Sequence, residues 1–410
     1  MFITHFRAVS LAVAMLPALA PAAPLTLEQA LELAVQRSEA ARSSRAGVHG
    51  ATEAARAAGQ LPDPMLRAGI DNLPVTGADR FSTTRESMTM KRIGIAQEWV
   101  SSDKRAALQA AADAMVGRES ISLQATAAEV RMQTALAFLE AYFAGETLRV
   151  ITLSEHHAHE ELEAAKARLS STTGNSQEVL AMTSALGVAQ DESAEVRQQQ
   201  SAARVALERW VGLPAEDLAA PATPPTAGEA LFVAHHPVVL AAQRDIDVAR
   251  RDAAVATANR DPNWSWEVSY GQRTGYSDMV TFGVSIPLPV SRAERQDREA
   301  AAKRAFVEKA EANLAEATRS ATAEYRSLAS DALRLAERVQ RYQSSIVVPA
   351  QQRTVAALAG YRSNQVSLTT LFDARHAEVE AQRKLLVLRR EMAKAQAQLA
   401  FKPLSNGGAR

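Results

Sequence analysis

The fold of this chain can be argued from two runs of sequence, Asp261-Pro-Asn-Trp-Ser-Trp-Glu-Val-Ser-Tyr-Gly-Gln272 and its continuation Met279-Val-Thr-Phe-Gly-Val-Ser-Ile-Pro-Leu288. In both runs a large apolar residue alternates with a small or polar one. Successive side chains of a β-strand point to opposite faces, so each run predicts a strand with one apolar and one polar face. Residues 273–278 between them have the composition of a turn. The stretch 261–288 therefore predicts a β-hairpin.

A second, weaker hairpin is predicted over residues 63–100, where two alternating runs flank a longer polar tip. Nearly everything else favours helix. Thr26 and Gln29 have capping-box spacing at the start of a helix that runs to about Ala58. Residues 103–169 contain no proline and are rich in good helix formers, which predicts one helix about 100 Å long. Further helices are predicted over 177–210, 228–259, 291–348 and 367–401, and we expect Pro349 to kink the chain.

The order of these segments indicates an internal duplication. Each half contains a helix, a hairpin, a very long helix, a break and a final helix. We predict a first repeat over 23–213 with its break, or tip, at 170–176, and a second over 229–403 with its tip at 360–366. A proline-rich linker, 214–228, separates them, and residues 404–410 are expected to form a disordered tail.

Composition excludes several classes of protein. Lys+Arg and Asp+Glu both number 46, so no net field favours nucleic acid. The absence of cysteine excludes thiolate metal sites, disulfides and catalytic thiols.

Residues 1–22 resemble a secretory signal peptide that ends in an A-x-A cleavage site. No nucleophile–base pairing or nucleotide-binding glycine pattern is present, so we expect neither an enzyme nor a cofactor.

The two hairpins give four strands per chain, too few to close a barrel. Lipid does not tolerate an open sheet edge, so strands that span a membrane here would require several chains. Three chains would supply twelve strands. The alternative is a small sheet packed on soluble helices, since half-buried strands also alternate. If the strands span a membrane, we expect the following residues to face lipid: Trp264, Trp266, Val268, Tyr270, Phe282, Val284 and Ile286.

The signal sequence, the opening segment 25–31, the segment Ala206-Leu-Glu-Arg-Trp-Val-Gly-Leu-Pro214 and the duplicated plan resemble the TolC-like outer membrane factors. The resemblance covers essentially the whole mature chain. It implies a mainly α protein with a small membrane β part: a homotrimer with an α-helical tunnel in the periplasm and a shared twelve-stranded barrel in the outer membrane. It also implies two protein partners, a periplasmic adaptor and an inner-membrane pump.

Segments 63–75 and 88–97 are similar to the branch of this family that works with heavy-metal pumps of the resistance-nodulation-division class. That similarity implies a passive exit duct for heavy-metal cations. A multidrug or type I secretion duct is an alternative, and a periplasmic coiled-coil scaffold without a channel is an alternative from another class.

The resemblance also implies where opening is controlled. In the family, acidic residues just beyond the second tip line the closed periplasmic entrance, and Asp373 matches one of them. Thr370 occupies the other acidic position, so a double acidic ring is not expected here. The exposed tips are the expected docking sites for the adaptor, through Gly174, Asn175, Arg362 and Asn364.

Two further groups suggest metal chemistry. His159-Glu160 begins an H-E-x-x-H pattern, but position 163 is Glu, so a zinc site is not expected and a solvated helix face is the simpler interpretation. Met65, Met88 and Met90 lie in or near the hairpin predicted over 63–100. Thioethers suit Cu(I), whereas the ordinary alternative for methionine is apolar filler.

Overall fold

The computed structural model describes residues 24–171 and 175–404. The expected signal peptide, most of the tail and Gly174 lie outside these ranges. The helices are α1 Leu27–Arg37, α2 Glu39–Ala58, α3 Ser102–Ser170, α4 Ser176–Val211, α5 Glu229–Ala234, α6 Pro237–Ala258, α7 Gln296–Tyr342, α8 Val348–Arg362 and α9 Leu368–Phe401. The strands are β1 Met65–Asp71, β2 Met90–Trp99, β3 Trp264–Gln272 and β4 Met279–Ser285. The expectation of a mainly α protein with a small β part is confirmed.

Helix α3 is the central element of the helical part. It has 69 residues, begins after the N-cap Ser101 and packs against α2, α4, α6 and α9. Its buried positions include many alanines, which allow neighbouring helices to approach closely. No helix within the described ranges combines the length and the apolarity needed to cross a membrane.

The helices predicted over 26–58 and 228–259 are each interrupted, and the prediction of single helices was wrong. Ser38 ends α1 and caps α2, where its hydroxyl accepts from the amide of Ala41 at 3.1 Å. His235 and His236 separate α5 from α6, and Pro237 then occupies the first turn of α6. A serine hydroxyl and a proline both favour a helix start at these positions. The capping box of Thr26 and Gln29 is confirmed.

The last long helix is not simply kinked at Pro349. Residues 343–347 form one π-helical turn between α7 and α8. Proline has no N–H to donate, and a π turn lets the chain continue as helix on both sides of that missing bond. Helix α7 begins at Gln296, later than the predicted start at 291.

The two hairpins join into one antiparallel sheet with the order β1-β2-β3-β4. The central pairing aligns β2 with β3 from Lys91–Gln272 to Trp99–Trp264. Strands β1 and β4 form the edges. Among the described residues, the contacts of the strands are essentially with one another, and no helix covers a face of the sheet.

Candidate functional site

The pairing register places the alternating apolar residues of all four strands on one face of the sheet. Val268 is opposite Ile95 on β2 and Phe282 on β4, and Ile95 is in turn opposite Leu66 on β1. We call this surface the apolar face. Its exposed large residues are Leu66, Ile70, Ile93, Ile95, Trp99, Trp264, Tyr270, Val280, Phe282 and Val284. Trp266 and Val268 are half-buried on the same face, and Ile286 is exposed just beyond the end of β4.

Most large apolar side chains of this sheet are exposed, which is the opposite of their usual position in a soluble protein. Phe282 on the apolar face is 78% exposed, whereas Ser269 on the opposite, polar face is 2% exposed. Gly94 faces Ser269, and a Cβ at Gly94 would lie only 2.5 Å from the Cβ of Ser269. The two central strands thus approach closely on the polar face. The apolar face is left exposed and uncovered.

Charged residues on the polar face pair with one another. Arg67 donates to Glu267 at 2.6 Å, and Arg92 contacts Asp71 at 3.3 Å and Glu267 at 3.9 Å. The contacts cross from β1 through β2 to β3. The polar face therefore combines small residues with a balanced network of charges, which suits a surface in contact with water.

Aromatic residues lie at the two ends of the apolar face. At the end nearest the helices, the rings of Trp99 and Trp264 have centroids 6.0 Å apart. At the hairpin-tip end, the hydroxyl of Tyr270 donates to Asp278. Aromatic residues at both ends of an apolar band are typical of strands that cross a membrane, because each ring has an apolar body and a polar group.

A buried lysine joins the helices to the sheet. The Nζ of Lys104, at the start of α3, donates to the carbonyl of Asp261 at 2.9 Å and to Asn263 at 2.7 Å. Asn263 then donates to Glu98 at the end of β2. The start of one long helix is thereby fixed to both central strands.

The two predicted tips lie side by side at the opposite end of the molecule. Asn175 caps α4 by accepting from the amide of Glu178 at 2.8 Å. Arg362 is the last residue of α8, and Asn364 turns the chain in the left-handed region with φ 58°. The guanidinium of Arg168, beside the first tip, lies 6.0 Å from the ring centroid of Tyr361, beside the second.

Both predicted entrance residues are exposed on the first turns of α9. Thr370 lies in the first turn, where its amide donates to the N-cap Ser367 at 3.1 Å. Asp373 lies three residues further, so the two side chains project on the same side of the helix.

Sequence reasoning missed an ion pair close to these residues. Glu161 on α3 is buried, and Arg375 on α9 donates to it at 2.9 Å. Burial raises the pKa of Glu161, while the charge of Arg375 and its hydrogen bond oppose that shift. Two residues 214 positions apart in sequence carry no local signal of their contact.

The histidine cluster forms contacts within its own helix. His156 and His157 each lie within 3.3 Å of a different oxygen of Glu160. The hydrogen bond from His157 lowers the pKa of Glu160. Within the described ranges, no group of three or more His, Asp or Glu residues is arranged to hold a metal ion.

Comparisons with known proteins identify the fold. No model of a protein family matches the chain, and no curated protein matches it. The outer membrane protein VceC of Vibrio cholerae superposes with a TM-score of 0.75 at 18% identity, over 92% of this chain and 96% of the other. CusC, whose structures are described in terms of transmembrane channel formation, gives 0.75 at 15% identity, over 92% and 90%. The open state of the MtrE outer membrane channel of Neisseria gonorrhoeae gives 0.77 at 16% identity, over 92% and 88%. The chain therefore has the fold of these outer membrane channels.

Proposed function

We propose that this protein is the outer-membrane duct of a tripartite efflux system. It provides a passive path, and an inner-membrane pump supplies the energy. The observation that carries the proposal is the exposed apolar face of the sheet. A row of large apolar side chains is exposed with no helix over it, and the ion-paired side chains of the strands lie on the opposite face. In water such a surface would be costly, whereas in lipid it is the expected arrangement.

A closed wall requires further copies of the chain. Among the described residues of the single chain, the outer edges of β1 and β4 are unpaired, and lipid cannot satisfy the backbone groups of an edge. Three chains close a twelve-stranded barrel when β4 of each protomer pairs with β1 of the next. The helical part also exposes apolar residues, on α4 and on α7 and α8, which contacts between protomers would bury. These are Leu180, Val188 and Val205 on α4, and Leu333 and Val355 on α7 and α8.

We propose heavy-metal cations as the cargo and a resistance-nodulation-division pump as the energy source. The support is the similarity of segments 63–75 and 88–97 to the heavy-metal branch. Adaptor docking at the two tips, through Gly174, Asn175, Arg362 and Asn364, and an entrance lined by Asp373 complete the proposal. A multidrug or type I secretion duct has the same architecture, so only the cargo test separates these alternatives.

Detergent extraction tests the duct against the periplasmic scaffold. We expect a heat-sensitive trimer in the outer-membrane fraction that only detergent releases, because the apolar face lies in lipid. A protein recovered in the soluble periplasmic fraction would contradict the duct. For the cargo, deletion of the protein should sensitise cells to particular metal salts. Unchanged metal tolerance combined with lost antibiotic tolerance would instead favour the multidrug duct.

A further inference from the structure

Methionines occupy an unexpected position in the sheet. Met65, Met90 and Met279 have register positions on the polar face, among glycine, serine and charged residues. None of the three belongs to a hydrophobic cluster among the described residues. Methionine normally fills gaps in an apolar core. That role does not explain thioethers on a face that otherwise suits water.

Two of these methionines flank one glycine at the hairpin-tip end of the sheet. A Cβ at Gly271 would lie 2.8 Å from the sulfur of Met90, so that thioether occupies the space that the glycine leaves open. Met279 on β4 is the direct pairing partner of Gly271. Side chains of directly opposite residues begin about 5 Å apart. The Met279 side chain therefore starts within reach of the Met90 sulfur, and its three rotatable bonds can close the remaining gap.

Hydrogen bonds around Met90 hold the start of β2 in place. Asn72 donates to the carbonyl of Met88 at 3.2 Å, and Thr89 donates to the carbonyl of Asn72 at 2.9 Å, which fixes the start of β2. Arg273, in the turn between β3 and β4, donates to the carbonyl of Ser87 at 3.3 Å. Asp71 is the pairing partner of Met90 on β1, and its carboxylate is paired with Arg92. The two thioethers thus lie on an ordered part of the polar face, beside an ion pair whose charges balance.

Ligand softness determines which ion such a pair would bind. Thioether sulfur selects soft monovalent ions such as Cu(I), while hard divalent ions prefer carboxylate, carbonyl and water. Silver(I) has the same charge and comparable softness. A conducting path also requires sites that bind weakly enough to release the ion. Two thioethers without a thiolate meet that requirement.

We propose that Met90 and Met279, across Gly271, form a binding site for a soft monovalent cation, Cu(I) or Ag(I), at the hairpin-tip end of the polar face. The site deepens the proposed function, on which it rests, by naming the class of metal. In a trimer it would be repeated three times around the outer end of the lumen.

Silver nitrate, in chloride-free buffer, is a suitable probe for the full-length protein in detergent. Peroxide oxidation followed by peptide mass spectrometry gives the rate of sulfoxide formation at each methionine. We expect silver to slow oxidation of Met90 and Met279 by about tenfold and to leave the exposed Met88 unchanged. Unaltered rates at Met90 and Met279, or equal protection of all surface methionines, would overturn the site.

Leucine variants test the same site by equilibrium dialysis. Leucine conserves the volume of methionine and removes the sulfur, so folding is retained. Met90→Leu with Met279→Leu should weaken silver binding by about tenfold, whereas Met65→Leu, on the same face at the other end, should leave it unchanged. Equal binding by the double variant would contradict the site.

If deletion removes metal tolerance but the protein does not bind silver, this inference alone fails. If deletion leaves metal tolerance intact, the proposed cargo fails whatever the dialysis shows.

Discussion

A guanidinium nitrogen of Arg375 lies 2.9 Å from a carboxylate oxygen of Glu161, and this pair joins α9 to α3. The neighbours of both residues in sequence, Leu162 and Ala374, belong to the hydrophobic cluster beside the two tips. Glu161 is only 3% exposed, so its charge depends on this one arginine. The contact fixes α9, which carries the proposed entrance residues, to α3.

Replacement of Arg375 should therefore destabilise the folded protein. In Arg375→Met the buried carboxylate loses its partner, and we expect the free energy of unfolding at neutral pH to fall by about 3 kcal/mol. Arg197→Met is the matched control, because Arg197 contacts Glu155 at 3.2 Å in a pair that is more exposed than Arg375–Glu161. We expect that control to cost less than about 1 kcal/mol. Chemical denaturation followed by helical circular dichroism measures both variants.

The destabilisation caused by Arg375→Met should also depend on pH. Burial raises the pKa of Glu161, and the charge and hydrogen bond of Arg375 partly oppose that rise. Loss of Arg375 should therefore raise the pKa of Glu161 further. A carboxyl group with a raised folded pKa favours the folded state at low pH and loses that contribution as pH rises through the folded pKa. Arg375→Met should therefore be less destabilising in acid than at neutral pH. An equal cost at both pH values would contradict this assignment.

Two substitutions on α9 test the proposed entrance in opposite directions. Asp373→Asn should lower the preference of the reconstituted channel for cations, and Thr370→Asp should raise it, because each changes the charge of a threefold ring. Reversal potentials across a salt gradient measure the preference. Glu378→Gln, on another side of the same helix, is the control. If the variants at 370 and 373 behave like the control, Asp373 does not line the entrance.

The tips are tested by charge reversal. Arg362→Glu should weaken capture of the periplasmic adaptor in cells while leaving the trimer intact, since Arg362 is exposed at the end of α8. Arg353→Glu, exposed on the same helix but away from the tip, should have little effect. Chemical cross-linking to the adaptor measures capture. If both variants capture the adaptor equally well, Arg362 takes no part in docking.

The absence of native cysteine makes the edges of the sheet easy to test. A cysteine at Phe282 on β4, combined in turn with one at Leu66, Ala68 or Ile70 on β1, should yield a covalent trimer in at least one combination. The reason is that neighbouring strands come within disulfide distance. Phe282→Cys with Ile95→Cys should not cross-link, because β3 separates these strands by about 10 Å. Only monomers in all three edge combinations would contradict closure by β1 and β4.

The sequence predicted the sheet well because strand alternation is a local property. Val268 and Phe282 already stood out by their spacing, and their shared face followed once the hairpin closed. The break at Ser38 was missed because the flanking residues are good helix formers on both sides. The His235–His236 break was visible only as a proline preceded by polar residues.

The contacts that fix the candidate sites were not predictable. The bond from Lys104 to Asn263 and the pair Glu161–Arg375 each join residues that are far apart in sequence. Such partners become visible only when the helices are placed side by side. For the same reason, Met279 was not connected with Met90 from sequence, since Gly271 between them shows its role only in the register of three strands.

Single-cysteine labelling tests whether the apolar face of the sheet contacts lipid and the polar face contacts water. Phe282→Cys and Thr281→Cys are neighbours on β4 whose side chains point to opposite faces. Each would carry a polarity-sensitive fluorophore in the protein reconstituted into vesicles. We expect a lipid-soluble quencher to suppress the label at 282 and iodide to suppress the label at 281. Iodide quenching of both labels, or the reverse pattern, would contradict that expectation.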